Sequence, residues 1–330
     1  MDFSTLKKIV EENSDFIITC HVNPDADAIG SELAFTDLLK QKNKNVRVIN
    51  YSKTPYNLEF LDKDNIIEKY EAAKHDEIIK TTDVIILLDL NQISRTVKME
   101  NTVRTSGAIK VCIDHHTEPE NFSEFMLVNK SYSSTGEIIF DFITQTGIAE
   151  LNYNIALQLY AAIMTDTGSF RFERTTPELH RKVAILLEQG VNPYDVYDKI
   201  YAQFYLSRNK LLGYALTTLE LSESGKVAYM TITQKMLKET GALEADVDGF
   251  VNYCLEIKGV QIGMLFFELK DGVKVSFRSK LDVPVNLLAE KFNGGGHFNA
   301  SGTRLYDTKL SDIKPKIIQS AEDLLKNYKN

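Results

Sequence analysis

The chain has 330 residues, 43% of them hydrophobic and 25% charged, with a formal net charge of −8. That length predicts two domains of ordinary globular composition, and the acidic balance excludes a broad basic surface of the kind that tracks long nucleic acid. No apolar run approaches the ~20 residues that span a bilayer, and Met1 to Lys8 lacks the layout of a signal peptide, so a cytoplasmic protein with no membrane partner is expected. Cys20, Cys112 and Cys254 show no C-x-x-C spacing, and two of them lie inside expected strands. Buried core thiols fit them better than disulfides, zinc ligands or a nucleophile.

An amphipathic helix over residues 2–12 leads to a strand at 15–21, a helix at 31–43 and a strand at 46–50. Residues 51–80 are mixed, with an amphipathic tail. Asp83 to Leu88 is nearly continuous apolar sequence, as expected of a strand buried on both faces of a parallel sheet, and it ends at Asp89. A strand at 109–113 ends at Asp114-His115-His116, and a short strand follows at 125–129. Ser134-Thr135-Gly136-Glu137 has the spacing of a capping box ahead of an apolar helix. A helix over 153–164 precedes Thr165-Asp166-Thr167-Gly168, and Pro177 opens another that reaches Glu188. Strands alternating with helices predict a doubly wound, mainly parallel α/β domain over residues 1–190. A long helical pattern rich in Tyr and Leu, residues 191–221, reads as a connector. Residues 222–330 carry strands at 227–232, 260–268 and 273–279, with a hairpin turn at Asp271-Gly272, and predict a smaller α+β domain.

On that layout His21, Asp25, Asp27, Asp89, His115, His116 and Asp166 all fall at or just beyond strand or helix ends. A parallel sheet gathers the C-terminal ends of its strands along one edge, so these groups are expected in one cleft. Carboxylates and imidazoles gathered this way repel one another and invite divalent cations; the mixed donors suit Mn²⁺, Fe²⁺ or Zn²⁺ better than Mg²⁺. Each motif also has a plainer reading. His21 to Ser31 reads as an Asp-rich turn with Gly30-Ser31 opening a helix, Asp114-His115-His116 as a polar turn, and Asp166-Thr167-Gly168 as a helix end. Gly294-Gly295-Gly296 reads as a flexible turn and, without a following Lys-Ser/Thr, is not a P-loop. His75 and His180 lie in polar helical contexts and are expected at the surface.

Taken together, His21-x-x-x-Asp25-x-Asp27-x-x-Gly30-Ser31, the strand ending in Asp89, Asp114-His115-His116 and Thr165-Asp166-Thr167-Gly168 resemble the four motifs of the DHH phosphoesterases. Gly294-Gly295-Gly296-His297 with Ala300-Ser301-Gly302 resembles the signature of their C-terminal DHHA1 domain. Within the family, length and layout are most similar to the branch of nanoRNases and phosphoadenosine-phosphate phosphatases. The resemblance implies a catalytic domain over 1–190 and a substrate-binding domain over 222–330. It implies two divalent ions, best matched by Mn²⁺: His21, Asp25 and Asp89 would hold one, and Asp27, Asp89, His115 and Asp166 the other. Asp89 would bridge, Asp114 would orient a ligand histidine, and His116 would face the substrate phosphate. Arg278 and His297 would clamp a terminal phosphate, aided by backbone amides at Gly295 and Gly296.

Charge counting agrees with a cationic clamp. Two divalent ions and four aspartates cancel, so a polyanionic substrate needs further cations such as Arg278. The implied activity is hydrolysis of short oligoribonucleotides to nucleoside monophosphates, and of 3′-phosphoadenosine 5′-phosphate, by a metal-bridging hydroxide. Cleavage of linear dinucleotides derived from cyclic ones is a close variant, and a non-catalytic nucleotide-binding regulator is the alternative of another class. Partners are thus short RNA and small nucleotides rather than long duplexes. A homodimer is the candidate oligomeric state.

Overall fold

The computed structural model describes residues 1–116, 119–280 and 282–327, with the side chain of His297 outside that description. The chain divides into two compact units, Met1–Gln203 and Phe204–Asn330.

In the first unit, β1 (Asp15–Thr19) follows α1 (Ser4–Glu12) and leads into α2 (Ala26–Gln41). Next come β2 (Asn45–Asn50), β3 (Ile67–Lys69), α3 (Ala72–Thr81), β4 (Val84–Leu88), α4 (Glu100–Thr105), β5 (Ile109–Asp114) and β6 (Phe125–Val128). The helices α5 (Thr135–Thr146), α6 (Tyr153–Asp166), α7 (Pro177–Glu188) and α8 (Pro193–Tyr201) complete it. Its sheet is parallel throughout, in the order β3-β2-β1-β4-β5-β6. Alternate residues of a strand point to opposite faces. Ile18, Val84, Ile86 and Leu88 therefore join one apolar core with α2, α5 and α6, while Ile17, Ile85 and Leu87 join a second core with Ile79 and Val103. Covering both faces explains why β4 reads as unbroken apolar sequence. Strand order reverses between β1 and β4, and the crevice beyond the strand ends at such a reversal is where ligands bind in this architecture.

The α/β reading holds, with local differences. β1 stops at Thr19, two residues short of the expected end. The helix expected from residue 31 begins at Ala26 instead, because Asp25 caps it: one carboxylate oxygen accepts the N–H groups of Asp27 and Ala28 at 3.0 and 3.1 Å. Gly30 and Ser31 consequently lie inside α2 rather than opening it. Gly30 has a packing role there, since a Cβ on it would sit 2.4 Å from the Gln158 carbonyl oxygen of α6. The edge strand β3 lies within the mixed stretch and is only three residues long. His75 is fully buried, not at the surface. Its Nδ1 accepts the Glu71 N–H at 2.9 Å, which leaves the ring proton on Nε2, facing Glu68 at 3.3 Å.

The stretch expected as one long helical connector is two helices. α8 belongs to the first unit, and α9 (Leu206–Thr217) opens the second. The second unit continues through β7 (Glu220–Leu221), β8 (Val227–Ile232), α10 (Gln234–Thr240), α11 (Asn252–Leu255), β9 (Ile262–Leu269) and β10 (Gly272–Ser279). It ends with α12 (Val285–Glu290), β11 (Gly295–His297), β12 (Ala300–Tyr306) and α13 (Leu310–Asn327). The mixed sheet runs β11-β12-β10-β9-β8-β7, with β8 and β9 parallel and the other pairs antiparallel. Leu269 pairs with Gly272, confirming the hairpin.

Gly30→Ala tests the α2–α6 contact. The added methyl must push a backbone carbonyl aside, so unfolding free energy is expected to fall by roughly 1–3 kcal/mol, the usual cost of overpacking. Urea denaturation reads this directly; an unchanged midpoint would show that the two helices separate freely.

Candidate metal centre

The cluster assembles at the strand reversal. His21 and Asp25 follow β1, Asp27 lies in the first turn of α2, and Asp89 follows β4. Asp114 ends β5, with His115 and His116 just beyond it, and Asp166 ends α6. His21, Asp27, Asp89, Asp114 and His115 are buried, His116 and Asp166 half-buried, and Asp25 exposed. Three groups, each with ligand atoms within 4.8 Å of one another, can hold a metal ion: His21, Asp25 and Asp89; Asp27, His115 and Asp166; and Asp89, His115 and His116.

Hydrogen bonding sets the donor atoms. His21 Nδ1 lies 2.9 Å from the Val22 carbonyl, which can only accept, so the ring proton is on Nδ1. In the neutral ring Nε2 then carries a lone pair, and it faces Asp89 Oδ2 at 3.3 Å. Two acceptors in that position repel unless a proton or a cation lies between them. His115 Nε2 is buried and has no hydrogen-bond partner, yet it lies 3.1, 3.6 and 3.7 Å from carboxylate oxygens of Asp166, Asp89 and Asp27. Burial, with His116 next in effect, pushes the pKa of His115 down to about 3, so the ring is neutral. An orphaned imidazole nitrogen ringed by three carboxylates is a donor set suited to a divalent cation, and the residues present fit one.

Burial, followed by the charge of Asp25, raises Asp27 from the usual 3.8 to about 6. Asp89 and Asp166 are raised well above the ordinary range by burial first and then by neighbouring carboxylates. Burial acts on Asp114 in the same direction, but its hydrogen bond and attraction to His116 prevail and hold it low. Asp114 Oδ1 is 2.7 Å from His116 Nδ1, and Oδ2 accepts the His116 N–H at 3.0 Å. The histidine oriented by Asp114 is thus His116, whose pKa rises against the effect of burial.

Several supporting residues are not among those the sequence motifs single out. The N–H groups of Thr135 and Gly136, at the start of α5, donate to Asp27 at 2.8 and 2.9 Å, and Thr135 Oγ1 donates to Asp89 at 3.2 Å. Ser134 caps α5 as expected, but Glu137 reaches one residue further back and accepts from Ser133. Lys182 of α7 ties this corner down, donating to Glu137 and Asp141 at 2.8 Å each, while Tyr132 donates to Asp141. Arg174 Nη1 lies 3.3 Å from both His115 Nδ1 and the Tyr132 carbonyl. The capping spacing points to the start of α5; nothing in the sequence marks Lys182 or Arg174.

In the second unit, Arg278 pairs in register with Ala300, which pairs with His297 on its other side, so the three share one row across β10, β12 and β11. The side chain of His297 lies outside the described residues. Among the described residues Arg278 makes no ion pair within 4 Å; it donates to the Phe277 carbonyl at 3.0 Å, and burial lowers its pKa. Gly296 has φ 138° in β11, and a Cβ there would sit 2.6 Å from Ser301 Cα, so the glycine run is a close strand pairing. Gly295 faces open space.

Residues 15–163 match the N-terminal domain of the DHH family, and residues 224–327 match the DHHA1 domain. A bifunctional oligoribonuclease and PAP phosphatase NrnA from Thermus thermophilus is 31% identical over 309 residues, covering 93% of this chain and 89% of the relative. The chain belongs to the DHH family of phosphoesterases. The crystal structure of an exopolyphosphatase-related protein from Bacteroides fragilis superposes with a TM-score of 0.92 at 32% identity, covering 99% of this chain and 96% of that one. Exonuclease RecJ bound to manganese shares the fold, with a TM-score of 0.53 at 13% identity and coverage of 97% and 93%. This DHH protein is a phosphoric-ester hydrolase with an α/β fold and acidic and histidine groups that can bind metal. No helix among its described residues is long and apolar enough to cross a membrane.

Two variants probe the cluster. Asp89→Asn removes one buried charge from a self-repelling group, so in chelator it is expected to melt above wild type, by on the order of 1–3 kcal/mol. The sign with pH follows from linkage: a carboxyl with a raised folded pKa withdraws stability as pH climbs above the unfolded value. The advantage of the variant should therefore widen upward from about pH 4. Wild type, but not the variant, should gain about 2.7 kcal/mol in Mn²⁺ at a hundred times its Kd. Equal melting curves with and without Mn²⁺ would count against metal binding. Lys182→Met leaves the buried Glu137 and Asp141 without their cation, with only hydrogen bonds from Ser133 and Tyr132, and should cost about 3–5 kcal/mol in urea unfolding; a loss below about 1 kcal/mol would mean that those hydrogen bonds and solvent satisfy them.

Proposed function

We propose that this DHH phosphoesterase is a cytoplasmic two-metal hydrolase that cleaves short oligoribonucleotides to nucleoside monophosphates and dephosphorylates 3′-phosphoadenosine 5′-phosphate. The observation that carries it is the pair of His/Asp groups at one strand reversal: His21, Asp25 and Asp89 beside Asp27, His115 and Asp166, with Asp89 within 3.6 Å of His115 and 3.3 Å of His21. Asp89 is thereby suited to serve both ions. Manganese is the metal of choice on the mixed donor set, and a RecJ of the same fold was solved with it. The two activities for which the Thermus relative is named support the substrate assignment.

Divalent ions bound there supply Lewis acidity, acidifying water and neutralising charge that develops on phosphoryl oxygens. The protein's own residues do the positioning. Two backbone N–H groups hold the Asp27 carboxylate, and the Val22 carbonyl fixes the tautomer of His21. His116, held by Asp114 and favoured in its cationic form, presents positive charge to the phosphoryl group undergoing attack. In this reading residues 1–190 are the catalytic domain, 191–221 the connector and 222–330 the substrate-binding domain. There Arg278, a half-buried cation that makes no ion pair within 4 Å among the described residues, meets the terminal phosphate, with His297 and the Gly295 and Gly296 amides.

A substrate panel tests the proposal: RNA dimers to pentamers, 3′-phosphoadenosine 5′-phosphate, a linear guanosine dinucleotide, pyrophosphate and long single-stranded DNA, each with Mn²⁺. The RNA trimer and the phosphoadenosine phosphate should be turned over, and Asp89→Ala should lose roughly a thousandfold in kcat/KM, equivalent to several kcal/mol of metal-assisted stabilisation. Binding without product at every metal concentration would instead identify a nucleotide-binding regulator. Preference for the guanosine dinucleotide would move the assignment to dinucleotide cleavage.

A further inference from the structure

We propose that Arg174 is a substrate-phosphate ligand of this site, a role that rests on the metal-dependent phosphoester reading above. Its position is built by an uncommon piece of backbone. Directly after Asp166 and Thr167, three consecutive residues adopt positive φ: Gly168 (57°), Ser169 (60°) and Phe170 (62°). Left-handed backbone is costly for Ser and Phe, and such strain concentrates at functional sites. The turn is held from several sides. Arg171 and Phe172 donate their N–H groups to the Thr167 carbonyl at 2.9 and 3.0 Å. The Phe170 ring packs between Tyr160 and His180, and the Phe172 ring lies over Gly168 so closely that a Cβ there would come within 2.5 Å. This return of the chain delivers Arg174 to His115.

The guanidinium does not belong on His115 once a metal is bound. A metal taken by Nε2, the nitrogen that faces Asp27, Asp89 and Asp166, needs the lone pair there, so the neutral ring keeps its proton on Nδ1. Arg174 Nη1, 3.3 Å from Nδ1, is itself only a donor. The two donors then compete for the one acceptor they share, the Tyr132 carbonyl, and loading the site turns Arg174 away from His115. Arg174 is exposed, so its charge carries little desolvation cost, and the contacts to His115 and Tyr132 engage Nη1 alone. The rest of the planar fork matches a phosphate bidentately. The charge count leaves room for such a group: four aspartates and two divalent ions cancel, so the phosphates of a polyanionic nucleotide need further cations, and Arg174 stands beside the cluster to supply one in addition to His116. Arg171 is less suited, because its Nε is already bound to the Gly168 carbonyl at 2.6 Å.

The test compares wild type, Arg174→Met and Arg174→Lys by calorimetric titration with Mn²⁺ alone, by titration of the Mn²⁺-loaded proteins with AMP, and by kinetics on an RNA trimer. Circular dichroism and melting should show all three folded, the position being exposed. Arg174→Met should weaken AMP binding and raise KM by about tenfold or more, leaving kcat within about threefold and Mn²⁺ affinity undiminished. Arg174→Lys should recover part of the loss, as a point charge without the fork. Unchanged AMP affinity overturns the proposal. So does a parallel loss of Mn²⁺ affinity, which would make Arg174 a positioning group for His115. Wild type that hydrolyses neither the trimer nor 3′-phosphoadenosine 5′-phosphate, yet binds AMP in an Arg174-dependent way, would sink the substrate reading and sustain this one.

Discussion

The first unit is organised around the mutual repulsion of carboxylates that are buried together. Asp27 and Asp89 are almost wholly removed from water, with Asp25 and Asp166 close by, and no lysine or arginine forms an ion pair with any of the four among the described residues. Buried charge of this kind is tolerated only when it is neutralised by a proton, a partner or a metal. The raised pKa values are the proton solution, available in the absence of cations. The Nε2 of His115, 3.1 Å from Asp166, and the lone pair of His21, 3.3 Å from Asp89, can each meet one such proton, but His115 Nε2 also faces Asp89 and Asp27, and a single proton cannot be shared among three carboxylates. A cation satisfies all of them together.

Holding such a cluster demands a stiff surround, and the packing supplies it at close range. α2, α5 and α6 come together where glycines allow it: Gly30 against the Gln158 carbonyl, and Gly136 against the Ala162 methyl, which a Cβ would approach to 2.6 Å. Close approach brings the first N–H groups of α5 onto Asp27. A helix N-terminus favours negative charge, so the same contact that packs the helices also stabilises one carboxylate in its ionised form. Lys182, Glu137, Asp141 and Tyr132 then fix the corner from which these N–H groups project.

Much of this arrangement is legible in the amino-acid sequence. β4, with the Asp89 that follows it, is legible as an unbroken apolar run, because burial on both faces leaves no room for polar alternation, and β5 shows as a shorter, mostly apolar run interrupted by Lys110. The grouping of His21, Asp25, Asp27, Asp89 and His115 follows from the rule that parallel strands share one C-terminal edge, whereas Asp166 ends a helix and joins them through the packing of α6 on α2. Other features have no one-dimensional trace. The start of α2 lies five residues ahead of its expected position because Asp25 reads as part of a turn, whereas its side chain caps the helix while remaining available to a metal. β3 is too short for its period to show. His75 has polar neighbours in sequence, but its burial depends on Glu68 and Glu71 folding around it. Arg174 and Lys182 acquire meaning only from distances to residues 41 or more positions away.

The loops that deliver the clustered His and Asp side chains share one backbone trait. Asn23, between His21 and Asp25, has φ 55°; Asp89 itself has φ 57°; and Ser169 and Phe170, just after Asp166, have φ 60° and 62°. None of these is glycine, although glycine would adopt the conformation without penalty. For Asn and Asp the cost is modest, since their short polar side chains tolerate left-handed backbone. At Asp89 the side chain is itself a ligand candidate, so glycine is excluded by chemistry and the strain is retained. For Phe170 the penalty is larger and is offset by its ring packing between Tyr160 and His180. Each sharp turn reverses the chain within a few residues of a strand or helix end, which keeps the ligand on rigid structure rather than on a mobile loop. Several such turns around one cluster fix the positions of groups that can hold a cation, and the fold bears that strain alongside the repulsion it encloses.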